Sequence, residues 1–389
     1  MAQTWRLLTP IAVCAIFLSA SRGGESPLDA EYTTLAIGAA APGFSLPDVN
    51  GKTRKLSDYA GAKVFAAVFV CNTCPVSQLY EDRVEKLFRD YRGKGVALVA
   101  INSNRPNATR LDEQAYTDVT DSFDDMKIRA EYRHIDYPYL YDGEKQAVAM
   151  KYGPAATPHI FIFDRGRKLR YQGRIDDNIQ ESLVQSQDAR RAIDALLAGQ
   201  PVPVETTPAS GCSIKWIANS EGVAGETAKI EAEPVNLSLT DAGDLKKLRA
   251  NPTGKLLLVN FWATWCSPCV SEFPELQDTY RMYRRREFAF VTVSENDPAE
   301  KAGVLKFLQK QHASGTNLIF ATSDISSLQE AFDHNMGAGV PFTVLIDPNG
   351  DIVYQEEGEI TTLALRRAIL QNLPDSKEYP GQQAYWSAK

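Results

Sequence analysis

Leu256-Leu257-Leu258-Val259-Asn260-Phe261-Trp262-Ala263-Thr264-Trp265-Cys266-Ser267-Pro268-Cys269-Val270-Ser271-Glu272-Phe273-Pro274 contains the change of period that decides the fold. The first seven residues, apolar apart from Asn260, read as a strand. After Cys269 the apolar positions move to helical spacing, with Phe273, Leu276, Tyr280 and Tyr283 on one face. Phe288-Ala289-Phe290-Val291-Thr292-Val293 is the next strand. Further on, Gly339-Val340-Pro341 leads into Phe342-Thr343-Val344-Leu345-Ile346-Asp347. A Pro348-Asn349-Gly350 turn then joins it to Ile352-Val353-Tyr354. Strands alternating with helices and closed by a hairpin imply an α/β fold with a mixed sheet.

The same order occurs upstream. Lys63-Val64-Phe65-Ala66-Ala67-Val68-Phe69-Val70 ends in Cys71-Asn72-Thr73-Cys74-Pro75. Val76, Tyr80, Val84, Leu87, Phe88 and Tyr91 follow at helical spacing, and Val96 to Ile101 forms a second buried run. Ala156-Thr157-Pro158 leads into His159-Ile160-Phe161-Ile162-Phe163, a turn at Arg165-Gly166 and the strand Leu169-Arg170-Tyr171. The expected organisation is a first domain over 36–200, a linker or strap over 201–232, a second domain over 233–375 and a mobile tail over 376–389. The strap carries Cys212 within Gly211-Cys212-Ser213-Ile214-Lys215-Trp216.

The chain has 389 residues, of which 44% are hydrophobic and 23% charged, enough for two or three globular domains. Its net charge of −7 gives no basic face for nucleic acid, and a mean hydropathy of −0.28 argues against a polytopic membrane protein. Arg6, the apolar run Leu7 to Leu18 and Ser19-Ala20-Ser21 read as a signal peptide over 1–21, with an uncleaved anchor as the alternative. The expectation is an exported protein, periplasmic or secreted, soluble after cleavage. Five of the six Cys then remain, Cys14 lying within the signal.

A CxxC at a strand-to-helix junction sets its first sulfur beside unpaired helix N–H groups, which favour the thiolate. The second sulfur lies one turn along and can resolve a mixed disulfide. A Pro before a strand leaves the neighbouring backbone to pair with a substrate chain opposite the Cys pair. On these grounds Cys266, Cys269, Cys71 and Cys74 are the candidate redox residues, shaped by Trp265, Pro268, Pro341 and Pro158.

The second unit, on Trp265-Cys266-Ser267-Pro268-Cys269, Gly339-Val340-Pro341 and the residues flanking them, resembles the exported TlpA/ResA-like thioredoxins. The resemblance implies that Glu272 moves protons to and from the Cys pair, where ordinary thioredoxins have an Asp at the position of Asn260. A solvated first-turn Glu is the other reading. The first unit is similar to CxxC-type peroxiredoxin-like redoxins, on Ala41-Pro42-Gly43-Phe44, Val70-Cys71-Asn72-Thr73-Cys74-Pro75, Thr157-Pro158 and Arg170 to Asp177. It lacks the hydroxyl residue three before the peroxidatic Cys: that position is Val68 for Cys71 and Cys71 for Cys74.

The resemblances together imply two thioredoxin-like domains, each a mixed sheet flanked by helices, in an exported thiol–disulfide oxidoreductase. A thiol peroxidase in domain one, reduced by domain two, is one alternative. A copper chaperone using Cys71, Cys74 and His159 is another. Zinc is not expected, because the two pairs are far more than about 12–20 residues apart. No cofactor or resident metal is implied. The expected partners are protein disulfides and an upstream thiol reductant, a membrane-bound one among the candidates. Cys212 is read as a resolving thiol that exchanges with the Cys71–Cys74 disulfide, as a packing residue, or as an intermolecular partner. Arg284-Arg285-Arg286 reads as a helix-end charge cluster and Asp176-Asp177 as a polar turn.

Overall fold

The computed structural model describes residues 32–337 and 339–374. The signal-peptide and tail expectations lie outside the described residues. In the first domain a hairpin of β1 (Ser45–Pro47) and β2 (Thr53–Lys55) precedes β3 (Val64–Val70), α1 (Pro75–Tyr91) and β4 (Val96–Asn102). Then come α2 (Phe123–Tyr132), β5 (Tyr139–Tyr141), α3 (Ala149–Tyr152), β6 (His159–Phe163), β7 (Leu169–Gly173) and α4 (Asp188–Leu197). The sheet order is β5-β4-β3-β6-β7, parallel from β3 to β5 and antiparallel from β3 to β7.

After α5 (Ser220–Glu231), the second domain runs β8 (Ser238–Thr240), α6 (Ala242–Arg249), β9 (Leu256–Trp262), α7 (Ser267–Tyr283) and β10 (Phe288–Ser294). It closes with α8 (Lys301–Lys310), β11 (Thr316–Phe320), α9 (Ile325–Phe332), β12 (Phe342–Ile346), β13 (Ile352–Glu357) and α10 (Thr362–Asn372). Its sheet order is β13-β12-β9-β10-β11-β8, parallel from β9 to β8, with β12 antiparallel to both its neighbours, β9 and β13. Both domains therefore have the thioredoxin-type arrangement, a mixed sheet with helices on its faces.

The position of the central strands explains why β3 reads as an unbroken apolar run and β9 as one broken only by Asn260. Both are buried along their whole length. Val64, Ala66, Val68 and Val70 face α1 and α4, while Phe65, Ala67 and Phe69 face a second core with Tyr152, Phe161 and Phe163. A strand covered on both sides has no polar face, so its pattern does not alternate.

The segment between the domains differs from a plain linker. Its first part lies on domain one. Gln172 donates its N–H to Glu205 O at 3.0 Å, Thr207 donates to Gln172 O at 3.1 Å, and Thr157 donates to Cys212 O at 2.9 Å. Ile214 and Trp216 join the core under β3. Its second part is the helix α5, which shows no buried face and hence no apolar period to read.

The domains meet through the loop between β4 and α2. Tyr283 Oη donates to Thr117 O at 2.8 Å, and Arg286 Nη1 donates to Ala115 O at 2.8 Å. Arg285 pairs with Asp112 at 2.7 Å and Arg367 with Asp118 at 2.8 Å. Ala115, Leu111 and Tyr116 join the core beneath α7 and α10. The run at Arg284 to Arg286 is thus more than a helix-end charge cluster. Arg284 holds Glu233 with two hydrogen bonds, and its two neighbours fasten domain two to domain one. Asp176 also departs from the polar-turn reading, because it is buried beneath Arg83, which contacts both its oxygens at 2.9 Å.

Asp118 is almost fully buried between Arg367 and Arg129. Asp118→Ala leaves those cations facing a void, so urea unfolding should show a loss of about 2–3 kcal/mol. Asp118→Asn, which keeps an acceptor, should lose less.

Candidate active sites

In domain two, Cys266 caps α7. Its sulfur accepts the Cys269 backbone N–H at 3.2 Å and lies 3.5 Å from Val340 O, on the residue before Pro341. Cys266 and Cys269 are disulfide-bonded with Cα atoms 5.3 Å apart. Cys269 is 1% exposed and Cys266 6%, whereas Trp265 beside them is 60% exposed. Pro268, in the first turn of α7, is also exposed. Pro341 is buried, and the Val340–Pro341 bond is cis. A sulfur at a helix N-terminus, with a large apolar ring and a strand end around it, is suited to meet another chain.

Glu272 lies one turn beyond Cys269 and is buried, unlike the solvated first-turn Glu of the other reading. Asn260 Nδ2 donates to its Oε1 at 3.2 Å, and Ile360 N donates to its Oε2 at 2.9 Å. Burial outweighs these two donors and pushes its carboxyl up to about 7. Sequence reasoning missed Glu295, buried at the end of β10 beside Trp262, where burial likewise lifts the carboxyl to about 7 against a hydrogen bond from Gln329. A polar residue after a strand gives no signal of burial.

Domain one differs in register. In β3, Phe69 faces His159, the residue after Pro158; in β9, Phe261 faces Phe342, the residue after Pro341. Counting forward from Phe69 and from Phe261 makes Cys74 the counterpart of Cys266, and Ser77 that of Cys269. Helix α1 accordingly starts at Pro75, and Cys74 is its cap, accepting Ser77 N–H at 3.3 Å. The expectation that Cys71 holds the helix-start position is therefore corrected. Cys71 lies three residues upstream, where its sulfur is 3.3 Å from Thr157 Oγ1. The CxxC spacing fixes the distance between two sulfurs but not which of them caps the helix.

Three thiols converge here. All three cysteines meet Thr157: Cys71 Sγ lies 3.3 Å from its Oγ1, Cys74 Sγ donates to its O at 3.4 Å, and its N–H donates to Cys212 O at 2.9 Å. Cys71, Cys74 and Cys212 are all free thiols. Burial pushes the Cys71 thiol well above its ordinary range, and burial followed by the bond to Cys212 pushes Cys74 up to about 11. Cys212 is shifted down, first by the hydrogen bond from Cys74. Pro158 is buried, and the Thr157–Pro158 bond is cis.

Asp121, which sequence reasoning also missed, holds the Cys71–Cys74 loop. It accepts Asn72 N at 2.7 Å, Thr73 Oγ1 at 2.6 Å, Asn102 Nδ2 at 2.9 Å and Asn104 Nδ2 at 2.9 Å.

His159 does not face the thiols as a free ligand. It is buried, its Nδ1 accepts Ala155 N–H at 3.1 Å, and its Nε2 lies 2.7 Å from Gln172 Oε1. Burial holds its pKa down to about 4. Among the described residues no group of three His, Cys, Asp or Glu side chains is placed to hold a metal ion. The His-containing copper set is thus not assembled.

Comparison with known proteins matches residues 37–172 to the AhpC/TSA family and residues 224–370 to the redoxin family. The thiol-disulfide oxidoreductase ResA of Bacillus subtilis is 26% identical over 151 residues, which span 39% of this chain and 80% of that protein. ResA of Geobacillus kaustophilus is 28% identical over 131 residues, spanning 34% and 71%. Among solved structures, a hypothetical protein of Sinorhizobium meliloti is 34% identical over 48% of this chain and 97% of its own, with a TM-score of 0.43. An uncharacterized conserved protein of Geobacillus kaustophilus is 39% identical over 46% and 92%, with a TM-score of 0.42.

Two outcomes follow from these sites. The Glu272 carboxyl sits above the ordinary value of 4.5, so the stability it lends is complete below about 4.5 and is lost as pH rises through about 7. Glu272→Gln should therefore stabilise the protein by on the order of 2 kcal/mol at pH 8 and very little at pH 4.5, as read by denaturant unfolding. Because Cys71 and Cys74 are held as thiols, neither should react with hydrogen peroxide faster than an ordinary cysteine. Stopped-flow peroxide loss in wild type and Cys74→Ser measures this.

Proposed function

We propose that this chain, a tandem thioredoxin-fold protein with an AhpC/TSA-family domain followed by a redoxin-family domain, performs thiol–disulfide exchange through Cys266 and Cys269. The observation that carries the reading is the capped sulfur of Cys266, bonded to Cys269 and bordered by exposed Trp265 and the Val340 carbonyl. The ResA relatives are named for the same activity.

In the reduced site, Cys266 as thiolate attacks a sulfur of a protein disulfide, and the departing thiolate takes a proton. Cys269 then attacks Cys266 Sγ, releasing the second substrate thiol and closing the Cys266–Cys269 disulfide. Glu272 takes the Cys269 proton, a task that suits a carboxyl titrating near neutrality. Trp265, Pro268 and Pro341 shape the surface on which the substrate chain lies. The closed disulfide needs an external dithiol to reopen it. The leading segment 1–21 supports an exported protein, so that dithiol belongs to another thiol protein, a membrane-bound one included. No helix among the described residues is long and apolar enough to cross a membrane. Cys71 and Cys74 serve as a second dithiol in the same chain. A peroxidase reading of domain one gains nothing from thiols held protonated.

The test is insulin-disulfide reduction with dithiothreitol as electron source. Cys266→Ser should abolish turnover, and Cys269→Ser should accumulate a mixed disulfide visible on non-reducing gels. Turnover that survives Cys266→Ser would assign the activity elsewhere.

A further inference from the structure

The reactive edge of domain one is already occupied by the chain itself. In domain two the residue before the strand Pro, Val340, borders the reactive sulfur. Its counterpart Thr157 is paired antiparallel with Cys212, donating its N–H to Cys212 O at 2.9 Å. The strap thus lies where an incoming peptide would have to pair. It is held firmly on both sides of Cys212. Upstream, Thr207 bonds Gln172 and accepts Arg174 N–H at 3.1 Å. Downstream, Ile214 and Trp216 are buried, Lys215 N donates to Asn104 Oδ1 at 2.9 Å, and Ile217 N donates to Gln146 Oε1 at 2.7 Å. Gly211 makes the close approach possible: it has φ +152°, and a methyl group there would meet Thr157 O at 1.9 Å.

In domain one the thiol most open to solvent lies on the strap and not at the helix start. Cys71 and Cys74 are each 2% exposed, and Cys212 is the one thiol of the three that is partly open to solvent. Thr157 gathers all three cysteines: Cys71 Sγ lies 3.3 Å from its Oγ1, Cys74 Sγ donates to its O at 3.4 Å, and its Oγ1 donates to Cys212 O at 3.4 Å.

We propose that domain one is a three-thiol exchange site entered through Cys212, with Cys74 as its resolving thiol and Cys71 as the final acceptor of the disulfide. Its oxidant is a small-molecule disulfide, which needs no backbone pairing. Cys212 as thiolate attacks one sulfur of that disulfide; the S–S bond breaks, and the departing thiolate takes a proton. Cys74 then loses its proton and attacks Cys212 Sγ. The second partner thiol leaves carrying a proton, and Cys74–Cys212 is formed. Two electrons have passed from the two cysteines to the partner. Cys71 next attacks Cys74 Sγ, giving Cys71–Cys74 and a free Cys212 thiol with no further change in electron count. In the reverse direction an external dithiol reduces the site. The lowered Cys212 thiol pKa agrees with its role as entry point.

The proposal rests on the thiol–disulfide exchange reading, and its test isolates domain one within the whole chain. Full-length protein carrying Cys266→Ser and Cys269→Ser is reduced, treated with oxidised glutathione, alkylated and mapped by peptide mass spectrometry. With the three thiols intact, the expected end product is Cys71–Cys74 with Cys212 alkylated. Cys71→Ala should stop at Cys74–Cys212, and Cys74→Ala should hold glutathione on Cys212. Gly211→Ala should lower the yield of Cys74–Cys212 several-fold. Independently of any change at the three thiols, iodoacetamide should modify Cys212 on the order of tenfold faster than Cys71 or Cys74. Glutathione on Cys71 or Cys74 in place of Cys212, absence of Cys74–Cys212 in Cys71→Ala, or equal alkylation rates would each overturn the proposal. Loss of insulin reduction by the wild-type chain would instead strike the reading of domain two and leave these outcomes intact.

Discussion

A backbone N–H in the first turn of a helix, bonded to a cysteine sulfur, is the contact on which both domains are organised. Ser77 N reaches Cys74 Sγ and Cys269 N reaches Cys266 Sγ. Each helix follows a strand buried on both faces, so the strand's end is fixed by core packing and the sulfur's position follows from it. The strand then pairs with the segment that begins after the buried Pro, bringing Thr157 or Val340 beside that sulfur. Moving the cap by one residue would rotate the sulfur away from that carbonyl. Core, cap and reactive edge are therefore one mechanical unit.

The loop between β4 and α2 ties that unit to the rest of the chain. Asp121 gathers donors from the Cys71–Cys74 loop and from Asn104, and Asn104 in turn holds Lys215 of the strap. A few residues upstream, Ala115, Thr117 and Asp118 take Arg286, Tyr283 and Arg367 from domain two. One loop thus supports the thiol cluster on one side and the interdomain contact on the other.

Much of this was legible from residues. The two apolar runs, the two CxxC pairs and the Pro before each later strand reveal the duplicated α/β order, because buried parallel strands leave continuous apolar runs. The cap register in domain one was not legible, since Cys71 and Cys74 satisfy the same spacing and only strand pairing distinguishes them. Buried acids were hidden for a different reason. Asp121, Asp176 and Glu295 look like loop residues until their donors, drawn from distant segments, are known. Helix α5 was hidden because it buries no face, so amphipathic period could not mark it.

The strap also changes what counts as a module. The AhpC/TSA match ends at residue 172, yet Gln172 bonds Glu205 and Thr207, Thr157 bonds Cys212, and the core beneath β3 is closed by Ile214 and Trp216. A unit cut at the end of that match would present an open sheet edge beside an apolar slot, the combination that invites strand addition by another chain. In space the first domain extends to about the start of α5. The shortest piece that could be moved intact into another protein is therefore the one that takes its strap along.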